Sequence, residues 1–175
     1  MAALTSSQAA SLSTEGIEAL NTAQAKALSS AALNALSSAQ VGQIATTALA
    51  KLKTDLVKTL TNTTVSSLQP TQISALSTDQ ISALKTTSLT TGVLSSLTTA
   101  NINVLTSSTL NALSSAQISG IGATALKNLS TTTVAALSNT AIKNLTTTQV
   151  NALTTDQVVA LTTAQINAMS TAQIA

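Results

Sequence analysis

Seven lysines, five carboxylates and a large population of Ser and Thr are the only side chains in this 175-residue chain with acid, base or nucleophilic chemistry. Lys beside Ser is in principle a nucleophile–base pair. Here the lysines recur at fixed positions near hydroxyls suited to capping helices, which reads as solvated surface charge. Asp55, Asp79 and Asp156 are single acids far apart in sequence, placed to meet helix dipoles rather than to cage calcium. His and Cys are absent, which removes the imidazole base, the thiolate nucleophile and the usual zinc ligands. Absence of Phe, Tyr and Trp removes a stacking platform for single-stranded nucleic acid, and a net charge of +2 is too dilute to track phosphates. Gly120-Ile121-Gly122 lacks the spacing of a phosphate loop. The expectation is a protein without catalytic, cofactor or metal site and without a nucleic-acid partner.

The element that positions these groups is an octad. Leu or a close substitute recurs every eight residues at Leu4, Leu12, Leu20, Leu28, Leu36, Ile44, Leu52, Leu60, Leu68, Leu76 and Leu84. The series resumes at Leu97 and runs through Leu105, Leu113, Ile121, Leu129, Leu137, Leu145, Leu153 and Leu161 to Met169. A short fixed period predicts a repeat architecture in which each unit buries its apolar face against neighbours. The best-preserved octad is Leu76-Ser77-Thr78-Asp79-Gln80-Ile81-Ser82-Ala83, with a second apolar residue five places after the anchor and three before the next.

That spacing excludes continuous elements. A straight helix turns about 100° per residue, so successive anchors form no stripe. A continuous strand sends the two apolar residues to opposite faces. One short helix per octad satisfies the spacing, because residues three apart share a helical face. Ser, Thr or Asn follows the anchor in 16 of the 21 octads, where it caps a helix N-terminus. Gln24, Gln40, Gln80, Gln157 and Gln165 complete a capping box. Pro70 stands at the first helical position. Glu15, Asp55, Asp79 and Asp156 fall in the first turn, and Lys26, Lys58, Lys127 and Lys143 near the end, as the dipole prefers. The fold expected is an all-α solenoid of very short helices with the Leu and Ile/Val rows inward; a β-solenoid with corners at Ser/Thr is the alternative. Leu20, Leu36, Leu76, Leu113, Leu137 and Leu153 are core anchors, and Ser77, Ser114 and Thr154 are helix caps. The period leaves open how many octads complete a turn.

The phase breaks once, giving octads over 1–84, a phase-breaking insertion over 85–96 kept packed by Leu89 and Leu94, and octads over 97–175, all in one continuous solenoid. Neither end shows a polar capping repeat. This fits a segment of a longer array, or ends that stack on other copies, with Leu4 and Ile174 as the candidate assembly ends. No apolar run approaches the roughly 18 residues of a membrane span, and the start lacks the basic and apolar regions of a signal peptide.

Stretches such as Ala75-Leu76-Ser77-Thr78-Asp79-Gln80-Ile81-Ser82-Ala83-Leu84 and Ala152-Leu153-Thr154-Thr155-Asp156-Gln157-Val158 resemble tandem octapeptide repeats of large bacterial surface or secreted, adhesin-like proteins. The resemblance implies a structural or adhesive role outside the cell. Such proteins often carry a haem-utilisation label, for which this chain offers only Met1 and Met169 as axial ligands. The function expected is a non-enzymatic rod or self-assembling extracellular filament subunit that associates end to end and inserts in no membrane. The alternative is an adhesin arm or binding module using its Ser/Thr face, including ice binding.

Overall fold

A computed structural model describes residues 4–174. Among them are twenty-one α-helices of four to six residues, numbered in chain order from α1 (Ser6–Ala10) to α21 (Thr171–Ile174), and a 3₁₀ turn at Thr86–Ser88. No strand occurs among the described residues. The fold is an all-α solenoid, and the β-solenoid alternative falls away.

Each helix is set by its octad. In α10 (Thr78–Ala83) the Ser77 hydroxyl accepts from the Gln80 N–H at 3.2 Å, while Gln80 Oε1 accepts from the Ser77 N–H at 2.8 Å. This reciprocal pair ties down two of the donors that a helix start leaves orphaned. Thr is a weak helix former, but at these corners its hydroxyl has a backbone partner. The next anchor ends the helix: the Leu84 N–H donates to the Ile81 carbonyl at 3.1 Å and Leu84 turns extended, at φ −66° and ψ 141°. Where the capping position is Ala45, Lys53 or Gly122, α6 (Thr46–Leu49), α7 (Thr54–Lys58) and α15 (Ala123–Leu126) start without a side-chain cap. Their helices still form, because helices this short are stabilised by packing rather than by their own turns.

Two compact units make up the chain, Met1–Leu89 and Thr90–Ala175. Within each, helices pack chiefly on the helix three further along: α1 on α4 (Ser30–Asn34) and α7 on α10 in the first, and α17 (Asn139–Lys143) on α20 (Thr163–Ala168) in the second. Side chains bridge to partners between 25 and 31 residues away, with 28 a recurring separation. Twenty-eight residues are three and a half octads. Each helix therefore lies chiefly over the helix three octads back, displaced along the chain by about half an octad.

The core is two apolar rows. Position five of the octad is closed off in the interior, as at Leu33, Ile73, Ile81, Leu126 and Ile142. Interior anchors such as Leu28, Leu52, Leu76, Leu105 and Leu129 are buried beside it. Covering each such side chain contributes roughly 1.5–3 kcal/mol. The phase break is a shortened octad. Leu84 is followed by the single 3₁₀ turn, Leu89 takes the anchor position fully buried, and a regular octad restarts with the Thr90 cap of α11 (Thr91–Ser95). Leu89 and Leu94 are both sealed from solvent.

Candidate functional site

The feature that binds turn to turn is a ladder of glutamine amides at position four. Gln40, Gln72, Gln80, Gln149, Gln157, Gln165 and Gln173 are all buried. Each accepts at its own helix cap through Oε1 and donates, through Nε2, to carbonyls of the preceding turn. Gln80 Nε2 donates to the Leu49 and Leu52 carbonyls at 2.8 Å each. Gln149 reaches Ile118 and Ile121 at 2.7 Å each, and Gln157 reaches Leu126 at 3.2 Å and Leu129 at 2.7 Å. The acceptors always include the position-five carbonyl 31 residues back and the anchor carbonyl 28 residues back. One planar amide thus satisfies the start of its own helix and the end of another, which is why it is buried without penalty.

Some octads without the glutamine recruit asparagine from the turn before. Thr64 occupies position four of its octad, and Asn34 Oδ1 accepts from the Thr61 N–H at 2.9 Å and from the Thr64 hydroxyl at 3.0 Å. Asn34 Nδ2 donates to the Thr59 carbonyl at 3.0 Å. Asn111 does the same for Ser138 (2.7 Å) and Ala136 (3.1 Å), where Ala141 stands at position four. No buried side-chain nitrogen or oxygen among the described residues lacks a partner.

The ladder and the core rows are open at two faces. On the turn made by α18 (Thr147–Asn151), α19 (Thr155–Val159), α20 and α21, the position-five row comes to the surface: Val158, Ile166 and Ile174 are 46%, 42% and 61% exposed. The equivalent Ile118, Leu126 and Ile142 are buried. On the turn made by α1, α2 (Thr14–Glu18), α3 (Thr22–Lys26) and α4 it is the anchor row that surfaces. Leu4, Leu12 and Leu20 are half-buried and line a shallow depression with Gly16, Ala19 and Gln24. Gln8 and Gln24 accept at their own caps, from the Thr5 and Asn21 N–H groups, but their Nε2 atoms donate to no described residue.

The residues expected from sequence fall as follows. Leu36, Leu76, Leu113 and Leu137 are buried, whereas Leu20 and Leu153 are half-buried because each lies in one of the open turns. Ser77, Ser114 and Thr154 cap α10, α14 (Ser115–Ser119) and α19 by accepting from the N–H of Gln80, Gln117 and Gln157. Leu4 and Ile174 sit on the two open faces. Met1 lies outside the described residues, and Met169 is the half-buried C-cap of α20. Lys26 and Lys53 line one open groove of the first unit with Asp55, and Lys58 and Lys85 line another with Asp79. The Glu15 carboxyl is held below its ordinary value by its own backbone N–H, then by Ser13 and Thr14.

Sequence reasoning read the glutamines only as capping-box residues and missed their second bond. The signal was present: a capping box accepts Glu as readily as Gln, yet no octad carries Glu at position four. Only the amide can both accept from an N–H and donate to a carbonyl.

These features define a repeat protein, an all-α solenoid in which each short helix is one octad. Residues 128–163 match the family model of the ALTTAQ repeat. That hexapeptide is spelled out at Ala160-Leu161-Thr162-Thr163-Ala164-Gln165, an anchor with its two hydroxyl residues and its ladder glutamine. No curated protein and no solved structure matches the chain. No helix among the described residues is long and apolar enough to cross a membrane.

Proposed function

We propose that the protein is a non-enzymatic structural element, a rod or filament subunit that lengthens by end-to-end self-association and works outside the cell, on a bacterial surface or after secretion. The observation that carries this reading is the repetitive all-α solenoid itself, in which a ladder of buried glutamine amides ties each turn to the one before. Its hydroxyls support a structural rather than a catalytic role, since Ser and Thr at the octad corners accept from backbone N–H groups at helix starts. The resemblance to octapeptide repeats of large surface proteins supports the location.

The staggered stacking favours this reading over a Ser/Thr binding face. With three and a half octads per turn, equivalent corners stand above one another only every second turn, which makes a poor lattice for ordering ice. Negative-stain electron microscopy of the purified chain over a concentration series tests the proposal. Unbranched fibres of uniform width are expected, and discrete particles at every concentration refute it.

A further inference from the structure

We propose that two pairs of lysines on the first unit form a binding surface for an acidic polysaccharide, a glycan bearing uronate carboxylates. Lys26 and Lys53 line one open groove of about 300 Å³, and Lys58 and Lys85 line another of about 940 Å³. Residues of α7 line both grooves, which share Thr59. In each, a position-six lysine of one turn meets a position-one lysine 27 residues later, so the same pairing is built twice. All four lysines are exposed. Lys127 and Lys143 also stand at position six, but 27 residues beyond them the chain has Thr154 and Ser170. The second unit therefore repeats the lysine without the pair.

The pairing runs against the octad's own preference. Position one is where Ser, Thr or Asn ordinarily caps a helix, and Lys53 and Lys85 are the only lysines there. Both α7 and the 3₁₀ turn consequently start without a side-chain cap. A forgone cap weakens the helix start, and two ammonium groups in one groove repel each other. An anion lying between the lysines offsets both costs, and a uronate carboxylate is such an anion. The rest of the larger groove suits sugar hydroxyls. The Thr59 and Ser82 hydroxyls donate to the Leu56 and Thr78 carbonyls, at 2.7 and 3.0 Å, which leaves their lone pairs to accept. The exposed carboxylates of Asp55 and Asp79, one in each groove, accept from sugar hydroxyls as well. They repel a polyphosphate, whose every link is charged and which has no hydroxyl to offer, so the grooves favour a glycan. One polymer spanning both grooves engages the second at high effective concentration. Each groove lies between successive turns of a single copy, so the proposal stands apart from end-to-end association.

Fluorescence anisotropy of a labelled oligogalacturonate titrated with the full chain tests this, with labelled dextran and labelled polyphosphate as comparison probes. The wild-type chain is expected to bind oligogalacturonate more tightly than either, and less tightly as salt rises. Lys53→Ser with Lys85→Ser returns both positions to a residue the octad ordinarily places there. Its urea midpoint should not fall, while its affinity should drop by about tenfold or more. Lys26→Gln with Lys58→Gln touches no cap and should lose as much. Lys127→Gln with Lys143→Gln removes the same charge from the second unit and should change affinity by less than about twofold. Equal losses in all three variants show a response to net charge alone and overturn the paired site. Undiminished binding by the first two, or a wild-type chain that leaves oligogalacturonate unbound, overturns it too. Polyphosphate bound as tightly as oligogalacturonate overturns the glycan, and dextran bound as tightly overturns the role of charge.

Discussion

Replacing Gln80 by Leu keeps nearly the same volume and deletes every polar contact of that side chain. Gln80 is 1% exposed, and three bonds of 2.8 Å are lost, one from the Ser77 N–H and two to the Leu49 and Leu52 carbonyls. The Leu49 carbonyl keeps the Leu52 N–H as a donor, at 3.0 Å, and so stays satisfied. The Ser77 N–H and the Leu52 carbonyl are left with no replacement. A buried polar group without a partner costs about 1–3 kcal/mol, so the substitution should destabilise by about 2–5 kcal/mol. Gln24→Leu is the internal control. Gln24 makes the capping bond to Asn21 but holds no carbonyl of another turn, so its loss should cost less than about 1 kcal/mol. Urea unfolding followed by circular dichroism separates the two, read as the shift in midpoint at unchanged slope. Equal shifts would refute the claim that the amide, rather than the cap, holds successive turns together.

Gly120→Ala should destabilise by about 1–3 kcal/mol, because its Cβ would lie 2.8 Å from the Thr91 Cα. Gly92→Ala, with only the Thr90 hydroxyl at 3.9 Å, should stabilise by about 0.5–1 kcal/mol; the opposite ranking in thermal melts would contradict the packing described. Thr155→Pro stands at the first residue of α19 after an extended Thr154, and should change stability by less than about 1 kcal/mol. Val158→Pro removes the bond to the Thr154 carbonyl and should cost about 3 kcal/mol or more, so comparable melts for the two would count against the helical assignment. Leu113→Asp puts an unpaired charge into the core and should cost at least about 3 kcal/mol by denaturant titration. Glu15 has a depressed value in the folded chain, so its contribution is present above the unfolded value and lost as pH falls through the folded one. An NMR titration of its side chain should inflect below the ordinary glutamate range, and an ordinary value there would contradict the hydrogen bonds assigned to it.

The helices were legible in the sequence because each carries its own start and stop. Ser77, Gln80, Pro70 and the five-three apolar spacing are local signals, read within one octad. The size of the turn was not legible. It follows from how the position-five row of one turn seats against the anchors of the next, and no local pattern encodes a separation of 28 residues. α14 ends in ordinary helical geometry at Gly120, and what the side-chain-free surface of that glycine admits is Thr91. Such a contact joins residues far apart in sequence and leaves no mark near the glycine. The interruption at 85–96 was visible as a slip in phase, but Leu89 as a true anchor emerged only from its burial.

The fractional number of octads per turn bears on how such a chain can change length through replication slippage. Every ladder bond refers to a residue a fixed distance back along the chain, never to the beginning of a turn. Gaining or losing one octad therefore leaves each later glutamine facing an equivalent carbonyl, and the core closes without a seam. Copy number is free to drift one octad at a time, whereas a coil with one whole repeat per turn must add whole turns. The outer surface has no such freedom. One additional octad rotates all that follows by two-sevenths of a circumference, so pairs such as Lys26 with Lys53 or Lys58 with Lys85, which share a groove across neighbouring turns, would part company. Selection on length and selection on surface pattern are thereby set against each other in this architecture.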